Sequence, residues 1–221
     1  MATRRKPAAK KAPRRGRQTR RRAVEAPRRS LGERSPFLEA LAAVAQFLAA
    51  TGRPAAIIGG VAVIARGFAR STIDIDATIA AGIEEVEDLV KVAAKQGLTP
   101  RISNAVRFAR ENLVLLLHHR ATGVPVDLSL AQQAFEQNAA AQAEIISFDG
   151  VMIPVPSLTA LLIYKLVAGR PQDMRDVEAL LKTGGRFDSD AVDETLGEFD
   201  QILETSRRAE FRALVQTSLS K

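Results

Sequence analysis

The sequence contains no cysteine and no tryptophan, a single tyrosine and only two histidines among its 221 residues. Without cysteine there is no disulfide and no zinc-thiolate site, which fits a reducing compartment and gives the expectation of a cytoplasmic protein. The two histidines, His118 and His119, close a strand-like segment beside Arg120, and no serine or cysteine nucleophile pattern accompanies them. They read as structural or surface residues, and neither a Ser-His-Asp arrangement nor a metal-binding histidine pair emerges. No apolar run approaches the ~20 residues that a membrane helix needs, and no apolar segment follows the N-terminal charges, so neither a span nor a secretory signal is expected.

Acidic residues are also scarce where basic ones crowd. Residues 1–35 hold 14 of the 32 Lys and Arg and only two acids, Glu25 and Glu33, so this stretch carries +12 while the remaining 186 residues carry −5. The sequence pI near 10.2 is therefore a property of the tail. A segment of Lys, Arg, Ala and Pro without aromatic residues cannot bury enough apolar surface to offset chain entropy, so residues 1–35 are expected to be a disordered basic tail. Such a tail either holds nucleic acid, RNA or tRNA included, by salt-sensitive charge attraction or is a solvated leader. Its Arg-rich, acid-poor composition also resembles an organellar transit peptide, although a clear amphipathic pattern is missing.

Beyond the tail, Ser35 as N-cap and Pro36 at the first helical position announce a helix that Gly52 ends. A short apolar strand, 55–58, runs into Gly59-Gly60 and then a small-residue helix over 61–65. Residues 70–79 alternate with period two, placing Thr72, Asp74 and Asp76 on one face and Ile73, Ile75 and Ala77 on the other. An amphipathic helix is predicted over 83–96, strands over 113–117 and 124–130, and a hairpin turning at Asp149-Gly150 between strands 145–148 and 151–155. From Pro156 onward the pattern is helical. The fold class is α/β (α+β), with a core over 36–155 built on a mixed sheet and a helical C-terminal part over 156–221.

Three carboxylates on these strands carry the functional reading. Asp74 and Asp76 share one face of one strand, and Asp127 stands inside an apolar run on another, so neighbouring strands would gather all three. Such a cluster repels itself unless cations sit in it, and Mg²⁺ prefers oxygen ligands together with substrate phosphates. Two Mg²⁺ ions would clamp the attacking and leaving oxygens of a phosphoryl displacement, and Asp127 is also placed to take a proton from an acceptor hydroxyl. Gly59-Gly60, between strand and helix, offers free N–H groups to phosphate oxygens, although the P-loop spacing is absent. Farther along, Lys165 lies on the apolar stripe of its helix, and Asp173 and Asp176 face inward from the next one. They form either a buried ion-pair network or a set that holds Lys165 or Arg170 toward a triphosphate.

Ile58-Gly59-Gly60, a gap of thirteen residues, Asp74-Ile75-Asp76 and then Asp127 resemble the signature of the DNA polymerase β superfamily of nucleotidyltransferases. The pattern Arg70-x-Thr72-x-Asp74-x-Asp76, with Lys165, Arg170, Asp173 and Asp176 downstream, is similar to that of the bacterial minimal nucleotidyltransferases, which include the abortive-infection toxins of type IV toxin-antitoxin systems. The resemblance covers about residues 36–183. It implies a mixed-sheet nucleotidyltransferase core in which Gly59 and Gly60 hold the triphosphate, Asp74 and Asp76 bind Mg²⁺, and Asp127 completes the metal site or acts as base. Lys165 would steady the phosphates, with Arg70, Thr72, Arg170, Asp173 and Asp176 in the nucleotide site. The chain departs from the family at Gly60, where many active members have serine, and at Gln172, where toxin members often have lysine.

The expectation is therefore a Mg²⁺-dependent nucleotidyltransferase that uses an NTP to transfer NMP to a hydroxyl acceptor on RNA or tRNA, a protein or a small molecule, with an antitoxin protein as partner if it is a toxin. The alternative is a non-catalytic nucleotide- or nucleic-acid-binding protein of the same fold.

Overall fold

The computed structural model describes residues 35–183 and 185–219. All of them fall in one compact unit, Arg34–Lys221. The expected basic tail lies outside the described residues.

The first helix, α1 (Pro36–Thr51), begins as its sequence predicts. Ser35 Oγ accepts from the N–H of Leu38 at 3.2 Å, Pro36 occupies the first turn, and Gly52 closes the helix in the left-handed conformation at φ 65°. One face of α1, with Leu41, Val44, Phe47 and Leu48, is buried. Chain order then gives β1 (Ala55–Ile57), α2 (Gly59–Ala65), β2 (Ile75–Ile79), a 3-10 turn (Ile83–Glu85), α3 (Val86–Lys95), β3 (Leu98–Pro100), α4 (Ala105–Asn112), β4 (Val114–His119) and β5 (Pro125–Leu130).

Five strands form one sheet in the order β1-β2-β5-β4-β3, with β2 and β5 parallel and the other pairs antiparallel. A parallel pair needs a crossover, and here the whole segment α3-β3-α4-β4 lies between β2 and β5 in sequence. The alternation in β5 is strict: Val126, Leu128 and Leu130 are buried, whereas Pro125, Asp127 and Ser129 are partly exposed on the opposite face. Register fixes what shares that second face. Asp76 is the partner of Asp127 across the β2–β5 ladder, and Leu116 is the partner of Asp127 across β4–β5.

After α5 (Ala134–Ala141), the hairpin β6 (Glu144–Phe148) and β7 (Val151–Val155) turns at Asp149 and Gly150, both at positive φ (45° and 80°), the conformation a two-residue loop requires. The chain then becomes helical, as its pattern indicates: α6 (Leu158–Ala168), α7 (Pro171–Lys182), α8 (Ser189–Leu203) and α9 (Arg207–Leu219). Gly169 ends α6 at φ 58° and Pro171 opens α7, so the corner between them is tight. Among the described residues, no helix is long and apolar enough to cross a membrane.

The strand expected over 70–79 is shorter than its alternation suggests. It begins at Ile75, and Asp74 sits in a bend just before it. Ile73, expected on the packed face, is 81% exposed. The reason is topological: β1 covers β2 only through Ala77, Thr78 and Ile79, so nothing on that side extends the ladder back to Ile73. β3, α4 and α5 are not anticipated by the sequence pattern.

Candidate functional site

The corner between β1 and α2 and the start of β2 are built as one piece. Ile58, extended at the N-cap of α2, donates its N–H to the carbonyl of Asp76 at 2.9 Å. Gly59 follows at φ 61°, and a Cβ placed there would lie 1.9 Å from Asp76 Oδ2. Both the backbone conformation and the carboxylate packed against Cα therefore require glycine. No side chain caps the N-terminus of α2.

Gly60 is explained by its neighbours. A Cβ there would come within 2.4 Å of Arg70 Nη2 and 2.7 Å of Thr72 Oγ1, so serine at this position would displace side chains that close over the glycine. Thr72 in turn donates to the carboxylate of Asp74 at 3.0 Å and approaches its carbonyl at 3.2 Å. Arg70 Nε, buried and without a hydrogen bond, faces Asp176 Oδ1 at 3.6 Å.

The second half of the site comes from the α6–α7 corner. Lys165 is buried and reaches both Asp173 Oδ1 at 2.8 Å and Asp176 Oδ2 at 3.0 Å. Arg170, 74% exposed, pairs through Nε with Asp173 Oδ2 at 2.6 Å. Gln172 donates its amide to Asp176 Oδ1 at 2.9 Å while its Oε1 accepts from Arg175 Nη2 at 2.7 Å. The glutamine thus has a structural use of its own: it satisfies a fully buried carboxylate without adding a charge. Burial pushes Asp173 upward, yet the bonds from Arg170 and Lys165 outweigh it and hold the carboxyl below its usual value.

These two halves face each other. Burial raises the Asp76 carboxyl above the ordinary range, the charges of Asp74 and then Asp127 raise it further, and Lys165 and Arg170 offset this only in part. All four groups thus act on one carboxylate, which receives no hydrogen bond among the described residues. Asp127 is raised by burial and by Asp74, against the pull of Arg101. Arg101 is the residue sequence reasoning missed. It follows β3, and its guanidinium pairs directly with Asp127 Oδ1.

The donor set suits a hard divalent cation: three aspartates supply oxygen ligands, and the mutual repulsion at Asp76 is what a bound cation relieves. The three do not already converge on a point. Among the described residues, no group of three or more His, Cys, Asp or Glu side chains is arranged to hold a metal ion. Asp127 is engaged by Arg101, and Asp74 by Thr72. Asp76 and Asp127 thus stand side by side across the β2–β5 ladder, with Asp74 in the bend just before β2 and Asp127 held by an arginine.

No protein-family model matches the sequence, and no curated protein resembles it closely enough to register. Solved structures do. An antigenic nucleotidyltransferase-like protein from Paracoccidioides brasiliensis superposes with a TM-score of 0.51 at 16% identity, over 82% of this chain and 91% of that one. ANT(2")-Ia in complex with adenylyl-2"-tobramycin matches with a TM-score of 0.47 at 18% identity, over 77% and 95% of the two chains. JHP933 from Helicobacter pylori gives 0.44 at 11% identity, over 81% and 87%. The class that the strand order defines is thus a mixed α/β fold of the nucleotidyltransferase kind, as the first of these superpositions shows.

Proposed function

We propose that this chain is a divalent-metal-dependent nucleotidyltransferase that moves a nucleoside monophosphate from an NTP to a hydroxyl acceptor and releases pyrophosphate. The observation that carries the reading is the pairing of Asp76 with Asp127 in register on adjacent parallel strands, with the Asp76 carboxylate packed against Gly59 at the start of α2. Asp74, Asp76 and Asp127 are the residues that would hold Mg²⁺. When bound, the metal supplies charge neutralisation for the α-phosphate and its leaving pyrophosphate.

The chain's own groups divide the remaining work. Backbone N–H groups at Gly59 and Gly60 would meet phosphate oxygens, and Arg70, close over Gly60, would present its guanidinium beside them. Lys165 and Arg170, held by Asp173 and Asp176, place positive charge opposite the acids without collapsing onto them. Asp127, if it acts as base rather than only as a metal ligand, would accept the proton as the acceptor oxygen attacks.

The acceptor class is RNA, including tRNA, a protein hydroxyl or a small molecule, and the +12 tail favours a polyanion by charge steering. A place among the toxins of toxin-antitoxin pairs, with an antitoxin as partner, rests on the Arg70-x-Thr72-x-Asp74-x-Asp76 and Arg170-to-Asp176 spacing alone. Incubating the full chain with each labelled NTP, Mg²⁺ and total RNA, beside Asp74→Ala, tests the reading. Label should pass to RNA, to the protein or to a small acceptor only with the unsubstituted chain. No transfer together with no metal-dependent NTP binding would sink it.

A further inference from the structure

We propose that Arg101 belongs to this site in two successive roles: counter-cation to Asp127 before nucleotide arrives, and triphosphate ligand once it has, the exchange releasing Asp127. The proposal rests on the nucleotidyltransferase reading above.

Arg101 reaches the site through the sheet. Its N–H donates to the carbonyl of Leu116 at 3.0 Å, one residue beyond the last β3–β4 pair. Leu116 is the register partner of Asp127, and Asp127 is that of Asp76. Arg101, Leu116, Asp127 and Asp76 therefore lie in one row across four neighbouring chain segments. The backbone of Arg101 is pinned to the sheet edge, and its side chain extends along the row over Leu116 to Asp127.

Chemistry then separates Arg101 from the other cations. Lys165 is buried and committed to two carboxylates, and Arg170 is hydrogen-bonded to a carboxylate that is itself only 2% exposed. Arg101 and Asp127 are both partly exposed, at 30% and 39% of their side chains. A pair this open to water is biased toward contact by at most about fivefold. Guanidinium forms the same forked bonds to phosphate as to carboxylate, and a triphosphate brings more negative charge and more acceptor oxygens than the one Asp127 oxygen Arg101 now meets, so a triphosphate laid along the acid face is the better partner. Asp127 is fully released from its counter-ion when the substrate that needs it is present. Arg101 is thus a positioning residue for Asp127 in the free protein and a substrate ligand in the complex.

The test measures binding with the full chain, using Mn²⁺ alone by the paramagnetic resonance of the free ion and ATP with Ca²⁺ by calorimetry. For Arg101→Ala, Mn²⁺ without nucleotide should bind about threefold to fivefold more tightly than to wild type, because a competitor for Asp127 is gone. The same variant should bind ATP about tenfold more weakly. Adding Asp127→Asn should cancel the Mn²⁺ gain, and Arg101→Lys should fall between Arg101→Ala and wild type in both measurements. Weaker Mn²⁺ binding by Arg101→Ala would mean that Arg101 only braces Asp127 and would overturn the proposal, as would both affinities within twofold of wild type. If wild type binds ATP and these variants do not behave as stated, Arg101 alone is misassigned. If wild type binds no ATP with either metal, the nucleotidyltransferase reading itself fails.

Discussion

Asp173 and Asp176 are more deeply buried than Asp74, Asp76 and Asp127, yet the shallower group is the one left in electrostatic tension. Between α6 and α7, two carboxylates meet Lys165, Arg170, Arg70 and the amide of Gln172, so each inward charge has a partner. On the β2–β5 face, three carboxylates share one arginine and one threonine hydroxyl. The first cluster is the kind that holds a fold in register. The second costs stability as it stands and persists because the strands force it, which is how a site for an absent charge behaves. Two clusters of the same residue type, facing one another, are thus told apart by what compensates them.

Removing the lysine should separate the clusters most sharply. Lys165→Met leaves two buried carboxylates short of their shared cation, and breaking a buried pair in this way costs about 3–5 kcal/mol. A chain of this size loses about 2–4 °C of thermal midpoint for each kcal/mol. A midpoint unchanged by Lys165→Met would mean that the α6–α7 network is not structural, and the contrast would fail. The opposite profile is expected of Asp76→Asn: nucleotidyl transfer should fall on the order of 10²–10³-fold, while the fold survives. Transfer at the wild-type rate would remove Asp76 from the site. A smaller effect is expected of Gly59→Ala, which forces a side chain into the left-handed region at about 1–2 kcal/mol and pushes on the Asp76 carboxylate. Thermal melts and ATP titrations should both register it, the second because the corner and the acid move together.

Much of this was readable from local pattern. The ends of α1, the glycine corner, the Asp149-Gly150 hairpin and the inward aim of Lys165, Asp173 and Asp176 depend on residues a few positions apart, where periodicity and capping act directly. The start of β2 was not readable, because alternation continues through Ile73 while the ladder does not. Nor was α4, which has no side-chain cap at Asn104 and ends with Leu113, a non-glycine residue, in the left-handed conformation. The bond between Arg101 and Asp127 spans 26 residues and exists only because β3, β4 and β5 lie side by side in one register. The sequence offered one signal for it: an arginine directly after a strand-compatible Leu98-Thr99-Pro100 segment, among many arginines. Likewise, the reason for Gly60 and Gln172 is a third side chain arriving from elsewhere, which no spacing rule contains.

The smallest effect is also the one that reads the two clusters against each other directly. Asp76 carries a raised carboxyl, so the folded state holds its proton more tightly than the unfolded chain does. Its contribution therefore favours folding below the unfolded value of 3.8 and is lost as pH rises through the folded value. Asp173 is lowered, so its contribution is present above 3.8 and is lost as pH falls through its folded value. Asp76→Asn should then melt higher than wild type at pH 7, by about 2–4 °C for each kcal/mol of burial cost and repulsion relieved, and the gap should close as pH drops below 3.8. Asp173→Asn should do the reverse, melting lower at pH 7 and converging with wild type only in stronger acid. Parallel pH profiles for the two variants would show that both clusters are compensated alike. Divergence with these signs would mark the strand-borne acids as the pair of walls that a cation is meant to stand between.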